Sequence, residues 1–221
     1  MFKHQHPYPP IIYPDTEKLI VGTLPPPRFT TRELKPGDVD FAYGSIDGQL
    51  WKILSRIFGV ELLYENSEKA KEQRSNLLIE NKIGICDMVE CAFRDKIDAS
   101  DLGIKQATFR PLIPLLKKNS SIRRILFTGG NSKGGPEYFF RKYLKQNFPE
   151  IKLERINAET PKIHQFELEG RKIETVSLTA PSGSANRAVG SMDLYKELKA
   201  KKPEFTTIDF RVMQYSEFFT K

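Results

Sequence analysis

Several short stretches of this 221-residue chain carry residue types that do chemistry in other contexts. GNSKG at 130–134 has the form G-x-S-x-G and lies between an apolar run and an amphipathic one, where a nucleophile elbow turns from strand to helix. Ser132 would then need a histidine base held by a third group, and the one downstream histidine is His164. A glycine-rich strand-to-helix turn is the favoured reading of the stretch, since a core or surface histidine is the commoner explanation of His164 at the start of a hairpin. It is no Walker loop, because Lys133 precedes Gly134 and Gly135 instead of following the second glycine. His4 and His6 stand in a proline-broken terminal segment with no carboxylate or thiol close in sequence, so a structural or disordered role is expected there and no metal. Asp87, Asp95, Asp98 and Asp101 crowd one region, but their spacing fits no calcium loop and Asp near a helix start is normally a cap. In YGSIDGQLW at 43–51, Asp47 opens an amphipathic stretch. There the free amides and the helix dipole favour a charged carboxylate, which suits a cap and a water-orienting group alike. In APSGSANR at 180–187, small residues let backbone approach a ligand closely. Ser182, Ser184 and Asn186 offer hydrogen bonds, and Arg187 supplies a cation for phosphate.

The elements that must position these residues read as strands feeding helices. KLIVG at 18–22, KIGICDMVE at 82–90 and RRILFTGG at 123–130 are short apolar runs of strand length. Leu50, Ile53, Leu54, Ile57 and Phe58 recur at helical spacing, with Gly59 placed to stop the helix. Pro136 suits the first turn of a helix over PEYFFRKYLKQNF, HQFELEGRKIETVSL reads as a hairpin turning near Gly170, and Ser191 is placed to cap MDLYKELKAKK. The segment FTTIDFRVMQYSEFF is compatible with strand or helix. In an open α/β sheet, ligands bind beyond the carboxyl ends of the strands, which directs attention to 22–48, 86–101, 128–135 and 179–191.

Bulk composition sets the bounds. A single domain over 1–221 is expected from length, and 35 basic against 28 acidic residues give +7 and a pI near 9.3, which suits an anionic partner such as nucleic acid. Cys86 and Cys91 are too few for a zinc knuckle or an iron–sulfur cluster, and reduced thiols are expected. The N-terminal MFKHQHPYPP lacks the apolar region of a secretion signal, so a soluble cytoplasmic protein without membrane association is expected.

In order along the chain, VGTLPPPR, YGSIDGQLW, GICDMVECAFRDKIDASD, ILFTGG and TAPSGSANR resemble the uracil-DNA glycosylase superfamily, and most closely its hypoxanthine-DNA (deoxyinosine) glycosylase branch. The resemblance runs from about residue 18 to 190. It implies an α/β fold, a three-layer α/β/α sandwich with a mainly parallel central sheet. It implies excision of a deaminated base, uracil or hypoxanthine, from single- or double-stranded DNA, without metal or cofactor. The implied base pocket takes Gly22, Thr23, Leu24 and Pro25 from the first motif, and Tyr43, Gly44, Ser45 and Gly48 from the second, with Asp87 nearby. The loop from Pro181 to Arg187 would contact DNA through Ser182, Ser184, Asn186 and Arg187.

Two departures matter for the chemistry. Many superfamily members place Asp or Asn before the proline of the first motif, where this chain has Leu24, which cannot orient water. The resemblance to the hypoxanthine branch implies that this loss is tolerated because an asparagine of the second motif, Y-G-x-x-x-N-x-F-W, takes over the role, but counting back from Trp51 puts Gly48 at that position here. Asp47, one residue earlier, is therefore the expected water-orienting group, with Ser45, Gln49 and Asp87 as other candidates. Several branches open the last loop with histidine, whereas Thr179 and Ala180 precede Pro181, so Ser182, Ser184 or a backbone amide must serve the leaving base. A catalytically silent superfamily member that binds nucleic acid or a nucleotide-like ligand is the alternative, and the Ser132 hydrolase a more remote one.

Overall fold

The computed structural model describes residues 1–95, 97 and 103–220. In chain order its elements are β1 (Phe2–Gln5), β2 (Lys18–Gly22), α1 (Pro27–Thr31), α2 (Leu50–Phe58), α3 (Glu68–Glu80), β3 (Ile83–Asp87), β4 (Val89–Arg94), β5 (Lys105–Phe109), α4 (Leu112–Lys118), β6 (Arg124–Phe127), α5 (Pro136–Asn147), β7 (Glu154–Asn157), β8 (Lys162–Leu168) and β9 (Arg171–Ser177). A 3-10 turn at Gly183–Ala185 then leads into α6 (Asn186–Gly190), α7 (Asp193–Lys201) and α8 (Thr207–Phe219). Two compact units divide the chain, one of residues 1–34 and 75–178 and one of residues 35–74 and 179–221.

The first unit contains the described strands. Its main sheet has the order β3-β2-β6-β9-β8-β7, with β3, β2, β6 and β9 mutually parallel and the β9–β8–β7 edge antiparallel. Parallel strands covered on both faces read as unbroken apolar runs, and KLIVG is such a run. Leu19, Val21, Ile125 and Phe127 point into a core with Leu112, Leu116, Phe140 and Leu144 of α4 and α5. The intervening Ile20, Leu126 and Val176 are equally buried, so both faces are covered, as a layered α/β fold requires. The β8–β9 hairpin turns at Glu169 and Gly170, whose φ of 51° and 74° make a turn that matches strand twist. The stretch expected as one strand over 82–90 is two. Met88 donates its N–H to the Gly22 carbonyl (2.8 Å), and beyond it β4 joins β1 and β5 in a separate antiparallel sheet. The N-terminal segment is likewise ordered, with β1 pairing β4 from Phe2 opposite Arg94 to Gln5 opposite Cys91.

The second unit is helical. Leu50, Trp51, Ile53 and Leu54 of α2 are buried, and Gly59 ends the helix in the left-handed conformation (φ 65°), its N–H returning to the Ser55 carbonyl. Trp51 packs inside and donates its indole N–H to the Ala42 carbonyl (2.9 Å). Arg74 is fully buried, its guanidinium carbon 5.3 Å from the Trp51 ring centre and 5.2 Å from that of Tyr64. The unassigned C-terminal segment is α8, started by a capping box in which Thr206 Oγ1 accepts the Asp209 N–H and Asp209 Oδ2 accepts the Thr206 N–H. Ser191 does not cap α7. Its hydroxyl donates back to the Ala188 carbonyl, and Met192 holds the cap position without a side-chain bond.

Candidate functional site

In the first unit the parallel strands end together, at Gly22, Asp87, Phe127 and Ser177. At that edge the residues of the first motif are tied to the β3–β4 corner. The Gly22 N–H donates to Asp87 Oδ1 (3.0 Å), the Met88 N–H to the Gly22 carbonyl, and the Val89 N–H to the Thr23 carbonyl (3.2 Å). Thr23 is buried, while Leu24 and Pro25 are half-buried, Leu24 against the apolar core. Asp87 is itself held by a residue that the sequence placed in a disordered or structural role. The Tyr8 N–H donates to His6 Nδ1 (3.1 Å), so the ring proton sits on Nε2, which donates to Asp87 Oδ2 (2.9 Å). Both carboxylate oxygens of Asp87 are thus engaged. His6 lacked a carboxylate neighbour in sequence, and no local pattern could supply one 81 residues away.

Other candidates of this unit resolve differently. His4 is fully buried and accepts from Arg94 Nε (2.8 Å), and burial followed by the Arg94 charge brings its pKa down to about 4. Burial pushes the Cys86 thiol up to about 11, and both cysteines are unpaired. Ser132 is exposed in the turn before α5, whereas His164 lies within β8 with Arg141 Nη2 3.0 Å from its Nε2 and Glu137 Oε1 3.9 Å from its Nδ1. Glu137 also accepts from Ser177 Oγ (2.6 Å) and from Arg141 (2.7 Å). With His164 in that buried network and no bond from Ser132 to it, the serine-hydrolase alternative is corrected to a glycine-rich turn. A Cβ at Gly135 would lie 2.2 Å from the Gly130 carbonyl oxygen, which accounts for that glycine by packing. Asp95 is exposed and pairs with Lys105, and Asp98 and Asp101 lie outside the described residues. Among the described residues no group of three or more His, Cys, Asp or Glu is placed to hold a metal, and no helix is long and apolar enough to cross a membrane.

The second unit brings the other two candidate stretches together. Gly48 and Ser182 form an antiparallel bridge, and the Gln49 N–H donates to the Pro181 carbonyl (2.9 Å). The turn that presents Gly48 is tight: its N–H returns to the Ser45 carbonyl (2.9 Å), and the Asp47 N–H reaches Ser45 Oγ (3.2 Å). Ser45 is buried, Tyr43 is half-buried with φ 57°, and Phe41 packs against Trp51 at 5.9 Å between ring centres. Gly44 is demanded by the backbone, since a Cβ there would fall 1.9 Å from the Val39 carbonyl oxygen. Asp47 does not cap α2. The cap position is Gln49, and the Asp47 side chain is 61 % exposed, its Oδ2 accepting from Lys35 Nζ (3.0 Å). Gln49 is buried, and its Oε1 has no hydrogen-bond partner in the protein, which leaves an acceptor at the junction of the two stretches. Beyond that junction Gly183, Ser184 and Arg187 are exposed, the Ser182 and Ser184 hydroxyls are 2.9 Å apart, and Asn186 Oδ1 accepts from Arg211 (2.8 Å).

No protein-family model matches the chain. It is 29 % identical over 129 residues to a hypoxanthine DNA glycosylase of Methanosarcina barkeri, a match spanning 57 % of this chain and 71 % of that protein. This chain resembles the uracil-DNA glycosylase superfamily, on its hypoxanthine side. A solution structure from Methanosarcina acetivorans, named as a candidate uracil DNA glycosylase, superposes with a TM-score of 0.54 at 18 % identity, covering 95 % of this chain and 98 % of that one. That likeness establishes a uracil-DNA glycosylase-like fold, in which the β9–β8–β7 edge makes the sheet mixed while its centre is parallel.

Proposed function

We propose that this protein is a DNA glycosylase that hydrolyses the N-glycosidic bond of a deaminated base, hypoxanthine or uracil, during base-excision repair. The observation that carries the reading is the Gly48–Ser182 bridge. It joins the second motif to the 179–187 loop, 134 residues apart in sequence, in a chain similar to a hypoxanthine DNA glycosylase. Such an enzyme must extrude the nucleotide from the stack, which costs a few kcal/mol, and recovers that cost through pocket and backbone contacts. A net charge of +7 favours the encounter with DNA. Bond cleavage leaves an oxocarbenium-like sugar and an anionic base, so it needs an oriented water and donors to the base. Asp47, at the entrance to α2, is the group we assign to the water. Ser182, Ser184 and loop amides are the assigned donors. Gly22 to Pro25 and Asp87 of the first unit, and Tyr43 to Ser45 and Gly48 of the second, are the residues we assign to the base, and Arg187 is assigned to phosphate. In this reading the chain works as a single cytoplasmic domain without cofactor.

Duplex and single-stranded oligonucleotides carrying hypoxanthine or uracil, incubated with the protein and then treated with alkali, test the proposal. Strand breaks at one of these bases are expected, and intact strands with every lesion overturn it. A second reading, a silent nucleic-acid-binding relative, is favoured by Leu24 and Gly48 standing where catalytic side chains are expected. It predicts salt-dependent DNA binding without base release.

A further inference from the structure

Arg211, on α8, is fully buried, and among the described residues no carboxylate lies within ion-pair reach of it. A buried guanidinium is costly unless every direction of its fork finds an acceptor. Here the acceptors come from the 179–187 loop. Arg211 Nε donates to the Ala180 carbonyl (2.8 Å), Nη2 to the Ser182 carbonyl (3.3 Å), and Nη1 to Asn186 Oδ1 (2.8 Å) and to the Thr207 carbonyl one turn back (3.2 Å). The same helix face continues the grip: Gln214 Oε1 accepts the Thr179 N–H (2.9 Å) and hydroxyl (3.0 Å), and Tyr215 Oη donates to the Thr179 carbonyl (2.6 Å). With the Gln49 N–H on the Pro181 carbonyl, the carbonyls of residues 179 to 182 are all committed. The other side of this loop is open. Gly183 and Ser184 are exposed, and a Cβ at Gly183 would meet nothing within 4 Å, so the fold itself does not require a glycine there.

We propose that Arg211 is the positioning residue of the 179–187 loop, holding it in one shape and placing an uncompensated positive charge beneath it so that the loop receives a DNA phosphodiester. Preorganisation of this kind lowers the ordering cost of binding, and a cation with neutral partners keeps its attraction for an anion outside. Burial, opposed only by Tyr215, lowers the guanidinium's pKa, but it stays charged near neutrality. The proposal rests on the nucleic-acid reading of the loop but not on base removal.

The test measures affinity for an undamaged duplex by fluorescence anisotropy at two salt concentrations, with folding of each variant checked by circular dichroism. Arg211→Met, which removes charge and fork, is expected to bind at least 10-fold more weakly. Arg211→Lys, which keeps the charge but loses the fork, and Asn186→Ala, which removes one anchor, are expected to weaken binding about 3-fold. Where base release is measurable, KM should rise in these proportions with kcat changing less. A folded Arg211→Met protein with affinity within 2-fold of the parent overturns the proposal, since a merely structural arginine would lower Tm alone. Should Arg211→Met fail to fold, Arg211→Lys and Asn186→Ala carry the test, and affinities within 2-fold for both overturn it. The expected order of affinities without base release removes the glycosylase reading and keeps this one. Base release with unchanged affinities does the reverse, and no duplex binding by the parent removes this proposal while leaving the glycosylase reading to the base-release assay.

Discussion

Asp87→Asn is nearly isosteric, yet the hydrogen bonds around residue 87 predict that it is not tolerated. The Tyr8 N–H commits His6 Nδ1 as an acceptor, so His6 Nε2 is a donor facing Oδ2, while the Gly22 N–H is a donor facing Oδ1. An asparagine presents one oxygen and one amino group. If its oxygen keeps Gly22, its amino group meets the His6 N–H. If the histidine changes tautomer to relieve that, its Nδ1–H meets the Tyr8 N–H. Every arrangement therefore opposes two donors at a site where Asp87 is 7 % exposed. Loss of a charge-assisted bond together with a stranded buried donor costs about 2–4 kcal/mol. Urea unfolding at neutral pH measures this, provided the m-value is unchanged. His6→Phe removes the opposing donor, so Asp87→Asn should cost about 1–2 kcal/mol less in that background. An Asp87→Asn protein within about 0.5 kcal/mol of the parent, or an equal cost in both backgrounds, refutes the donor assignment. Because the same carboxylate fixes Gly22 and its neighbours, base release should fall with it.

Asp47→Ala should lower kcat at least 100-fold if Asp47 orients the water, by the usual range of general-base contributions, and leave duplex affinity unchanged. Its exposed pair with Lys35 contributes only about 0–1 kcal/mol, so Tm should scarcely move, and a kcat within a few-fold of the parent removes the assignment. His4 is neutral in the fold because burial, Arg94 and His6 oppose its charge. Its contribution is therefore complete above its ordinary value of 6.5 and lost as pH falls toward about 4, on the order of 2–3 kcal/mol with solvent screening allowed for. Urea midpoints at pH 7 and 4.5 should show this drop, and His4→Gln should flatten it. Gly44→Ala should cost about 3 kcal/mol, because the Val39 carbonyl that its Cβ would strike is fixed by accepting the Phe41 N–H (2.6 Å) while the Val39 N–H is held by the Gly44 carbonyl (2.8 Å); a thermal melt within 2 °C of the parent contradicts that. Thr206→Ala should cost about 1 kcal/mol through the α8 cap, read from the urea midpoint, and an unchanged midpoint would show that the capping box contributes nothing.

Sequence reading succeeded where local chemistry and burial agree. KLIVG is apolar throughout and is a central strand, α2 has one apolar stripe and a glycine stop, and Glu169-Gly170 closes a hairpin. It failed where polar side chains point inward. In α8, Arg211 and Gln214 are buried beside Phe210 and Phe218, so the apolar period that marks a helix is interrupted by residues serving a loop some 30 positions earlier. α3 escaped notice for the related reason that its sequence is mostly polar, with buried Arg74 holding the carbonyls of Leu63 and Ala70. MFKHQHPYPP read as a loose end because the side chains that hold its histidines, Arg94 on His4 and Asp87 on His6, lie more than 80 residues further along the chain.

By itself, then, the sequence determined which segments become buried strands and amphipathic helices, how the candidate motifs are ordered, and that two expected catalytic positions hold Leu24 and Gly48. Those properties are set by each residue's own polarity, shape and neighbours along the chain. Tertiary structure decided that Asp47 faces solvent beside Lys35 instead of capping α2, that His6 holds Asp87 against Gly22, that His164 lies in a buried network away from Ser132, and that Arg211 holds the 179–187 loop. Each of these is a hydrogen bond or ion pair between groups 12 to 81 residues apart. Such a pair forms only when the fold brings donor and acceptor together, and no local pattern in the chain encodes it.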